Sequence, residues 1–305
     1  MVPTRRSALQ GIAALAALAA MKPSAALAST GLISRAIPVS GEALPVIGVG
    51  TWQTFDVGDN PAERAALKEV LSLFSAAGGK VIDSSPMYGS SESAAGDLAA
   101  ELGITNRLFV ATKVWTRGRE EGIAQMEASF KRLRAARMDL MQVHNLVDAA
   151  VHTQTLGKWK AEGRVRYLGI THYARSAYAD VERWLKTGKY DFLQINYSLA
   201  EPESDMRLLP LAQEKGIAVL INRPFAEGEM FRRVRGQPLP AWATEFGAVS
   251  WAQYFLKWII SHPAVTCAIP GTGKPTHMAD NLAAGVGPLP DAAMRVRMAQ
   301  HFATL

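Results

Sequence analysis

Residues 80–92, KVIDSSPMYGSSE, contain the pattern on which the interpretation of this chain depends: an apolar pair that runs directly into a carboxylate. Val81 and Ile82 are typical of a buried strand, and Asp83 follows where that strand would end. A charge at the end of a core strand costs several kcal/mol unless it is paired. The sequence therefore predicts a cationic partner for Asp83 elsewhere in the chain. A small polar turn then leads to Tyr88.

Short apolar runs of the same kind alternate with amphipathic stretches through the rest of the chain. The runs lie at residues 49–52, 80–84, 108–114, 138–144, 165–172, 191–197, 217–223 and 265–270. Between them, apolar residues recur three or four apart, often before a glycine, which predicts helices. Eight such units predict an α/β fold, a (β/α)8 TIM barrel in one domain. A doubly wound open sheet is the alternative, but the even units and the lack of an early glycine fingerprint count against it.

Two additions to the eight units are expected. The segment SRAIPVSGEALPVIGVG, residues 34–50, predicts a β-hairpin that turns at Gly41 and Glu42. The last segment, DAAMRVRMAQHFAT, predicts a helix on the outside or the floor of the barrel. The seventh unit is longer than the others and holds the segment GEMFRRVRG.

Composition narrows the function classes. The chain has 305 residues, of which 49% are hydrophobic and 20% charged, so it is long and apolar enough for a large core. The net charge is +6, of which +3 lies in the first 28 residues. The other basic residues are scattered, apart from a short run at 232–235 that a solvated helix face explains, so nucleic acid is not an expected partner. The single cysteine, Cys267, excludes an internal disulfide, and its apolar surroundings predict a buried thiol.

The first residues have the layout of an export signal. A basic pair, Arg5 and Arg6, precedes an alanine-leucine run and then small residues that end at Ala28. The segment TRRSAL resembles the twin-arginine signal that exports folded proteins, and an ordinary secretion signal is the alternative. We expect a signal peptide over 1–28, one barrel domain over 29–305 and a periplasmic location, or a cytoplasmic one if the signal is not used. The run is too short and alanine-rich for a stable membrane span.

Polar residues end the predicted strands, and chemistry in such barrels lies at the carboxyl ends of the strands. Lys113 ends the strand after that of Asp83, and consecutive barrel strands lie side by side, so the two are expected to pair. A buried ammonium also favours ionisation of a nearby tyrosine, here Tyr88. His144 ends the next strand. The pattern predicts a tyrosine acid with an imidazole to hold a substrate oxygen, although each residue alone has an ordinary structural explanation.

The segments IDSSPMYG, ATKV and DLMQVHN resemble the aldo-keto reductase superfamily, and the likeness runs from about Ser34 to Leu289. By that resemblance, the catalytic tetrad is Asp83, Tyr88, Lys113 and His144. The implied reaction is hydride transfer between nicotinamide C4 and a carbonyl carbon, with Tyr88 donating a proton to the oxygen. The implied enzyme is an NAD(P)(H)-dependent oxidoreductase that interconverts a small carbonyl compound and an alcohol.

The resemblance also implies cofactor-binding residues near the strand ends: Gly50, Thr51, Thr171, His172, Gln194 and Arg223. Thr171 and His172 stand where the family usually has serine and asparagine against the carboxamide, and Gln194 matches their glutamine partner. Arg223 stands where many members stack a tyrosine on the nicotinamide, and it either lies over the ring or reaches the pyrophosphate. Trp52 matches a pocket-lining tryptophan, and a core residue at the barrel rim is the alternative.

The phosphate end of the implied nucleotide site is IPGTGKPTHMADN, residues 269–281. Backbone amides of the loop at Gly271, Thr272 and Gly273, together with the start of the next helix, favour an anion. The loop is not a P-loop, because Pro275 replaces the required Ser/Thr. His277 stands where NADPH-using members of the family often place arginine, and Gly271 where some place lysine. Lys274 would supply the charge for a 2′-phosphate, which favours NADP(H) over NAD(H). Asp280 and Asn281 match the pair that contacts adenine.

Two alternatives of different kinds stay open. A nicotinamide-nucleotide-binding regulatory module would keep the fold without needing fast turnover. A self-recycling isomerase or epimerase would retain its nucleotide through folded export, since free NADPH is not expected outside the cytoplasm. No metal is expected, because His144 and His152 lack ligand spacing and no cysteine pair exists. The sequence leaves the substrate, the direction of the reaction and the oligomeric state open.

Overall fold

The computed structural model describes residues 31–305, so the expected export signal lies outside the described residues. Each strand of the main sheet pairs in parallel with the next along the chain. The sheet comprises β3 (Val49–Gly50), β4 (Val81–Asp83), β5 (Phe109–Val114), β6 (Met138–His144), β7 (Val165–Thr171), β8 (Phe192–Asn196), β9 (Ala218–Asn222) and β10 (Cys267–Ala268). Bridges from Ile47 to Ala268 and from Gly50 to Gly271 join the last strand to the first. The predicted barrel is confirmed.

Helices surround the barrel. They are α1 (Pro61–Ala76), α2 (Ser91–Glu101), α3 (Arg119–Arg132), α4 (Ala149–Ala161), α5 (Tyr178–Leu185), α6 (Leu208–Glu214), α7 (Glu229–Arg233), α8 (Trp251–Ile260), α9 (Pro275–Ala284) and α10 (Ala292–Ala303). In α1, the Asn60 side chain accepts hydrogen bonds from the amides of Ala62 and Glu63, and Pro61 occupies the first turn. Leu67 and Phe74 lie on the buried face of this helix, and each such side chain stabilises the fold by roughly 1.5–3 kcal/mol.

The predicted hairpin is present at the amino end of the barrel. Strand β1 (Ser34–Ala36) pairs antiparallel with β2 (Ala43–Pro45), and Gly41 adopts a φ of 75° in the turn. Ile37 and Leu44 join an inner apolar cluster made by residues near the starts of the barrel strands, among them Phe109 and Phe192. The hairpin therefore covers the floor of the barrel and leaves its opposite end for chemistry.

The last helix packs on the outside of the barrel, against α8. The Tyr254 hydroxyl donates to the carbonyl of Met298 at 3.0 Å, and the Phe255 and Phe302 rings meet edge to face. The outside placement is confirmed and the floor placement is wrong, because the hairpin occupies the floor. Cys267 is fully buried, as predicted. Between residues 31 and 305, no helix is long and apolar enough to cross a membrane.

Candidate active site

Asp83 has the cationic partner that its position requires. The Lys113 Nζ lies 2.6 Å from Asp83 Oδ2 and also donates to the carbonyl of Ser84 at 2.6 Å. Asp83 Oδ1 accepts hydrogen bonds from the side-chain amides of Gln142 at 2.9 Å and Gln194 at 2.8 Å. Both oxygens of this buried carboxylate therefore accept hydrogen bonds. These interactions offset the free energy that removing the charge from water costs.

Strand register explains why the ion pair forms inside the barrel. Side chains two residues apart on a strand share a face, so Phe109, Ala111 and Lys113 all point inward, the first two into the inner apolar cluster. Asp83 lies opposite Ala111 on the neighbouring strand, one inward step from Lys113. Burial lowers the pKa of Lys113, but attraction to Asp83 and Tyr88 outweighs it, so the pKa lies above its ordinary value.

Tyr88 lies over this ion pair. The Lys113 Nζ is 5.0 Å from the centre of the Tyr88 ring, and that ring meets the His144 ring edge to face at 6.0 Å between centroids. Burial raises the pKa of the Tyr88 hydroxyl, Lys113 lowers it, and Asp83 raises it further. Lys113 therefore acts in the expected direction, but burial outweighs it, and the net result is a pKa above 10.0. The prediction that Tyr88 is shifted towards ionisation is therefore wrong, and its hydroxyl stays protonated at neutral pH.

His144 is buried and neutral. Burial, then the charge of Lys113, then His172 lower its pKa to about 2. The Ser85 hydroxyl lies 3.2 Å from His144 Nδ1. Ser85 was not predicted as a site residue from the sequence, where its place in the turn two residues after Asp83 was the one available signal.

The ends of β7 and β8 bring two expected cofactor residues together. The Thr171 hydroxyl donates to Gln194 Oε1 at 3.1 Å, and the other end of the Gln194 amide is the one that donates to Asp83. His172 accepts hydrogen bonds from two backbone amides through Nδ1, which places its ring proton on Nε2. Burial lowers the pKa of His172, and Asp180 opposes the shift. Gln142, whose side-chain amide also donates to Asp83, was not predicted as a site residue from the sequence. It lies opposite Lys113 in the sheet.

Arg223 follows β9 with a φ of 48°, a left-handed conformation that is uncommon outside glycine. Its guanidinium contacts Glu201 at 3.2 Å and Glu227 at 3.6 Å and lies 5.7 Å from the centre of the Tyr173 ring. Backbone strain of this kind concentrates at functional sites. Glu201, missed by the sequence analysis, fixes one side of the guanidinium and is itself held by the Asn196 side chain at 2.9 Å.

The residues near the first barrel strand divide into buried and exposed ones. Thr51 is fully buried, and its hydroxyl donates to Ser84 at 2.8 Å. A Cβ on Gly50 would lie 2.8 Å from the Ile269 carbonyl, so only glycine allows this close approach of the two backbones. Trp52 is 42% exposed, so its interpretation as a core residue is wrong.

The expected phosphate loop leads into the start of α9. Lys274 is the residue before the first turn, Pro275 begins the helix, and the Thr272 hydroxyl accepts a hydrogen bond from the Lys274 amide at 3.1 Å. Lys274, His277 and Gly271 are exposed, Gly273 is partly exposed, and Asn281 is buried. Asp280 accepts hydrogen bonds from Ser250 at 2.7 Å and Gln253 at 2.7 Å, so α8 holds its carboxylate.

Comparisons with known proteins identify the family and the fold. The model of the aldo/keto reductase family matches residues 46–296. The methylglyoxal reductase YeaE of Escherichia coli (strain K12) is 31% identical over 261 residues, which cover 81% of this chain and 88% of that protein. A crystal structure of an aldo-keto reductase from Klebsiella pneumoniae in complex with NADPH has the same fold, with a TM-score of 0.73 and 24% identity over 86% of this chain and 92% of that one.

A second crystal structure, of an aldo/keto reductase from Klebsiella pneumoniae in complex with NADP and acetate, gives a TM-score of 0.70 at 23% identity. It covers 86% of this chain and 93% of that one. The family model spans all eight barrel strands and every residue of the cluster formed by Asp83, Lys113, Tyr88 and His144. The chain therefore belongs to the aldo/keto reductase family of oxidoreductases.

Proposed function

We propose that this protein is an NADP(H)-dependent carbonyl reductase that works by hydride transfer, with Tyr88 as general acid in reduction and general base in the reverse reaction. The observation that carries the proposal is the single cluster in which Lys113 contacts both Asp83 and Tyr88 while His144 lies against the Tyr88 ring. Membership of the aldo/keto reductase family supports it. The NADP and NADPH held by the Klebsiella pneumoniae structures support the choice of nucleotide.

The residues of the expected cofactor site fit a phosphorylated nucleotide. The amides at the start of α9 carry the positive end of the helix dipole, which favours a phosphate. Lys274 and His277 are exposed on the same turn, and Lys274 would supply charge for a 2′-phosphate. The close backbone approach of Gly50 to Ile269 leaves this rim of the barrel without a side chain at residue 50.

The nucleotide, when bound, would supply the hydride, and the chain's own residues would handle the proton. A Tyr88 hydroxyl with a raised pKa is protonated at neutral pH and thus ready to donate to a carbonyl oxygen. Once the proton has left, the phenolate lies beside the Lys113 ammonium, and this attraction lowers the energy of the charged state. Asp83 holds Lys113 charged and in place.

His144 would orient the substrate as a neutral donor. A neutral imidazole carries one N–H, and a Ser85 hydroxyl that donates to Nδ1 leaves that proton on Nε2. With a pKa near 2, the ring stays neutral across the whole working range of pH. It can then hold a carbonyl oxygen near Tyr88 without competing for the proton that Tyr88 delivers.

Arg223 would take the position of the aromatic residue that stacks on the nicotinamide in many members of the family. Its planar guanidinium is held between Glu201 and Tyr173, so its orientation is set before any ligand arrives. An Arg223→Tyr variant would restore the usual aromatic. We expect it to retain turnover and change nucleotide affinity, as measured by fluorescence titration with NADPH.

The proposal is tested with Tyr88→Phe. We expect consumption of NADPH with an aldehyde to fall about 10²- to 10⁴-fold, the usual contribution of general acid catalysis. The matched control is Tyr190→Phe, which removes a hydroxyl bonded to Thr153 at 2.7 Å on another part of the barrel and should leave the rate unchanged. A Tyr88→Phe variant as fast as the wild type would refute the role of Tyr88. A wild type that binds NADPH but reduces no carbonyl compound would favour the regulatory module instead.

We also propose that residues 1–28 export the folded protein to the periplasm and that it carries its nucleotide with it. The twin-arginine pattern at Arg5 and Arg6 supports export, and the scarcity of free NADPH outside the cytoplasm supports retention. Protein recovered from the periplasm should release stoichiometric NADP or NAD on denaturation, as identified by mass. Protein found only in the cytoplasm would overturn the export proposal, and a periplasmic protein without nucleotide would overturn retention.

A further inference from the structure

The turn that carries Tyr88 is bonded on both sides of that residue to the loop after β3. Ahead of Tyr88, the Thr51 hydroxyl donates to the hydroxyl of Ser84 at 2.8 Å, and the Thr51 amide donates to the carbonyl of Asp83 at 3.0 Å. Behind Tyr88, the Ser91 hydroxyl donates to the carbonyl of Thr51 at 3.3 Å. The position of Tyr88 therefore depends on the loop at residues 51–60, which belongs to a different strand from its own.

Asp56, in that loop, bonds the residue that lies two places after Tyr88. Asp56 Oδ1 accepts hydrogen bonds from both the amide and the hydroxyl of Ser90, each at 2.8 Å. The same Ser90 hydroxyl accepts from the amide of Gly58 at 2.9 Å, so the two segments are bonded in both directions. The Ser90 amide and then its hydroxyl lower the pKa of Asp56, so the carboxylate is charged at neutral pH. Hydrogen bonds to a charged acceptor are about twice as strong as those between neutral groups.

Gly89, between Tyr88 and Ser90, lets this carboxylate lie against the backbone. Its φ of 57° is a left-handed conformation, and a Cβ at this position would overlap both oxygens of the Asp56 carboxylate. Because Asp56 lies against Gly89 and bonds Ser90, it fixes the backbone directly after Tyr88. It therefore also fixes the direction in which the Tyr88 side chain leaves the turn.

Asp56 does not act on Tyr88 through its charge. Within residues 31–305, the charges that shift the pKa of the Tyr88 hydroxyl are Lys113 and Asp83. Asp56 is exposed to solvent, where salt and water screen a carboxylate. Its influence on the reaction therefore passes through the position of the tyrosine, and a general acid works only within hydrogen-bond reach of the oxygen that it protonates.

We propose that Asp56 is a positioning residue for Tyr88, and that it holds the phenol hydroxyl where a substrate carbonyl oxygen can receive its proton. The proposal rests on the proposed reductase function. A displacement of about 1 Å in a catalytic group can cost about a hundredfold in rate. Because the bonds through Thr51 remain when Asp56 is removed, we expect a smaller loss, about tenfold.

The test measures the single-turnover oxidation of bound NADPH by benzaldehyde, which separates the chemical step from release of the nucleotide. Wild type is compared with Asp56→Ala, Asp56→Asn, Ser90→Ala and Asp59→Ala, and urea midpoints confirm that each variant folds. Asp56→Ala should be about tenfold slower at saturating benzaldehyde, with its half-saturating concentration nearly unchanged. Asp56→Asn keeps an oxygen acceptor for both Ser90 donors and should recover most of the rate. Ser90→Ala keeps the amide donor and should lie between Asp56→Ala and wild type.

Asp59→Ala is the matched control, because Asp59 is exposed in the same loop and its removal changes the charge by the same amount. It should react at the wild-type rate. A double variant then shows whether Asp56 acts through Tyr88. Tyr88→Phe lacks the proton donor, so adding Asp56→Ala to it should slow the reaction less than about twofold, whereas independent effects would multiply. The pH dependence of reduction in Asp56→Ala should match that of wild type, since Asp56 does not set the pKa of Tyr88.

The proposal is overturned if Asp56→Ala reacts as fast as wild type or if Asp59→Ala is slowed equally. It is also overturned if Asp56→Asn is as slow as Asp56→Ala, or if the tenfold loss persists in the Tyr88→Phe background. A different result marks failure of the proposed function itself: a wild type that reduces neither benzaldehyde nor any other carbonyl compound, or one that reacts no faster than Tyr88→Phe.

Discussion

Replacing Lys113 by methionine tests how much the buried ion pair contributes to the free energy of unfolding. The Lys113 side chain is 0% exposed and that of Asp83 is 4% exposed. Removing one partner of such a pair typically destabilises the fold by about 3–5 kcal/mol, because the other charge stays buried. Gln142 and Gln194 would still donate to Asp83, which places the expected loss near the lower end, about 3 kcal/mol.

The assay is urea unfolding of residues 29–305 at pH 7, with two companion variants. Lys160→Met is the matched control, because Lys160 bonds Asp191 at 2.6 Å but is 39% exposed, and partly exposed pairs contribute about 1 kcal/mol or less. Lys113→Met combined with Asp83→Asn leaves no buried charge, so it should recover about half of the lost stability. If Lys113→Met costs no more free energy of unfolding than Lys160→Met, the reasoning is refuted.

Three further predictions concern His144, Tyr88 and Cys267. Since the unfolded chain binds a proton at His144 below pH 6.5 and the folded protein does so only near pH 2, the free energy of unfolding should fall by about 1.4 kcal/mol per unit as the pH drops below 6.5. Urea midpoints at pH 7, 6 and 5 should show a shallower fall in His144→Gln, and equal slopes would contradict the neutral imidazole. Because the Tyr88 pKa is raised above 10.0, kcat/KM for reduction should stay flat from pH 6 to 9 and decline only at higher pH, whereas alcohol oxidation should speed up as the pH rises towards that pKa. An inflection near pH 6.5 that His144→Gln abolishes would count against the neutral imidazole, and a decline of the reduction rate below pH 9 that Tyr88→Phe removes would count against the raised pKa of Tyr88. Burial raises the pKa of Cys267, so native protein should resist iodoacetamide at pH 8 and react in guanidinium, as followed by mass; rapid labelling of native protein would show an accessible thiol.

The sequence was sufficient to predict the barrel and its central ion pair. Strand and helix periodicities alternate regularly along the chain, and a charge that ends a buried strand, such as Asp83, needs a partner on a neighbouring strand. Lys113 was the cation at the next strand end, and the structure brings the two within 2.6 Å. Both features follow from the periodicity of apolar residues and from the pairing of strands that are consecutive along the chain, and the sequence shows these directly.

The second layer of contacts could not be predicted from the sequence. Gln142 and Gln194 meet at Asp83 from strands that are two and four places from its own, and this depends on barrel closure and on side-chain rotamers. The net shift of the Tyr88 pKa depends on how deeply the ring is buried, which residue types do not show. The hydrogen bonds from Ser90 to Asp56 depend on the exact placement of one loop against another.

The central claim is most directly tested by following the hydride itself. Residues 29–305 are incubated with benzaldehyde and NADPH deuterated at C4, in two preparations that carry the label on either face, and the alcohol is examined by mass and NMR. One preparation should place a single deuterium on the carbinol carbon, and Tyr88→Phe should form that product at least about a hundredfold more slowly. Alcohol without deuterium from both preparations, or equal rates in the two proteins, would contradict hydride transfer assisted by Tyr88.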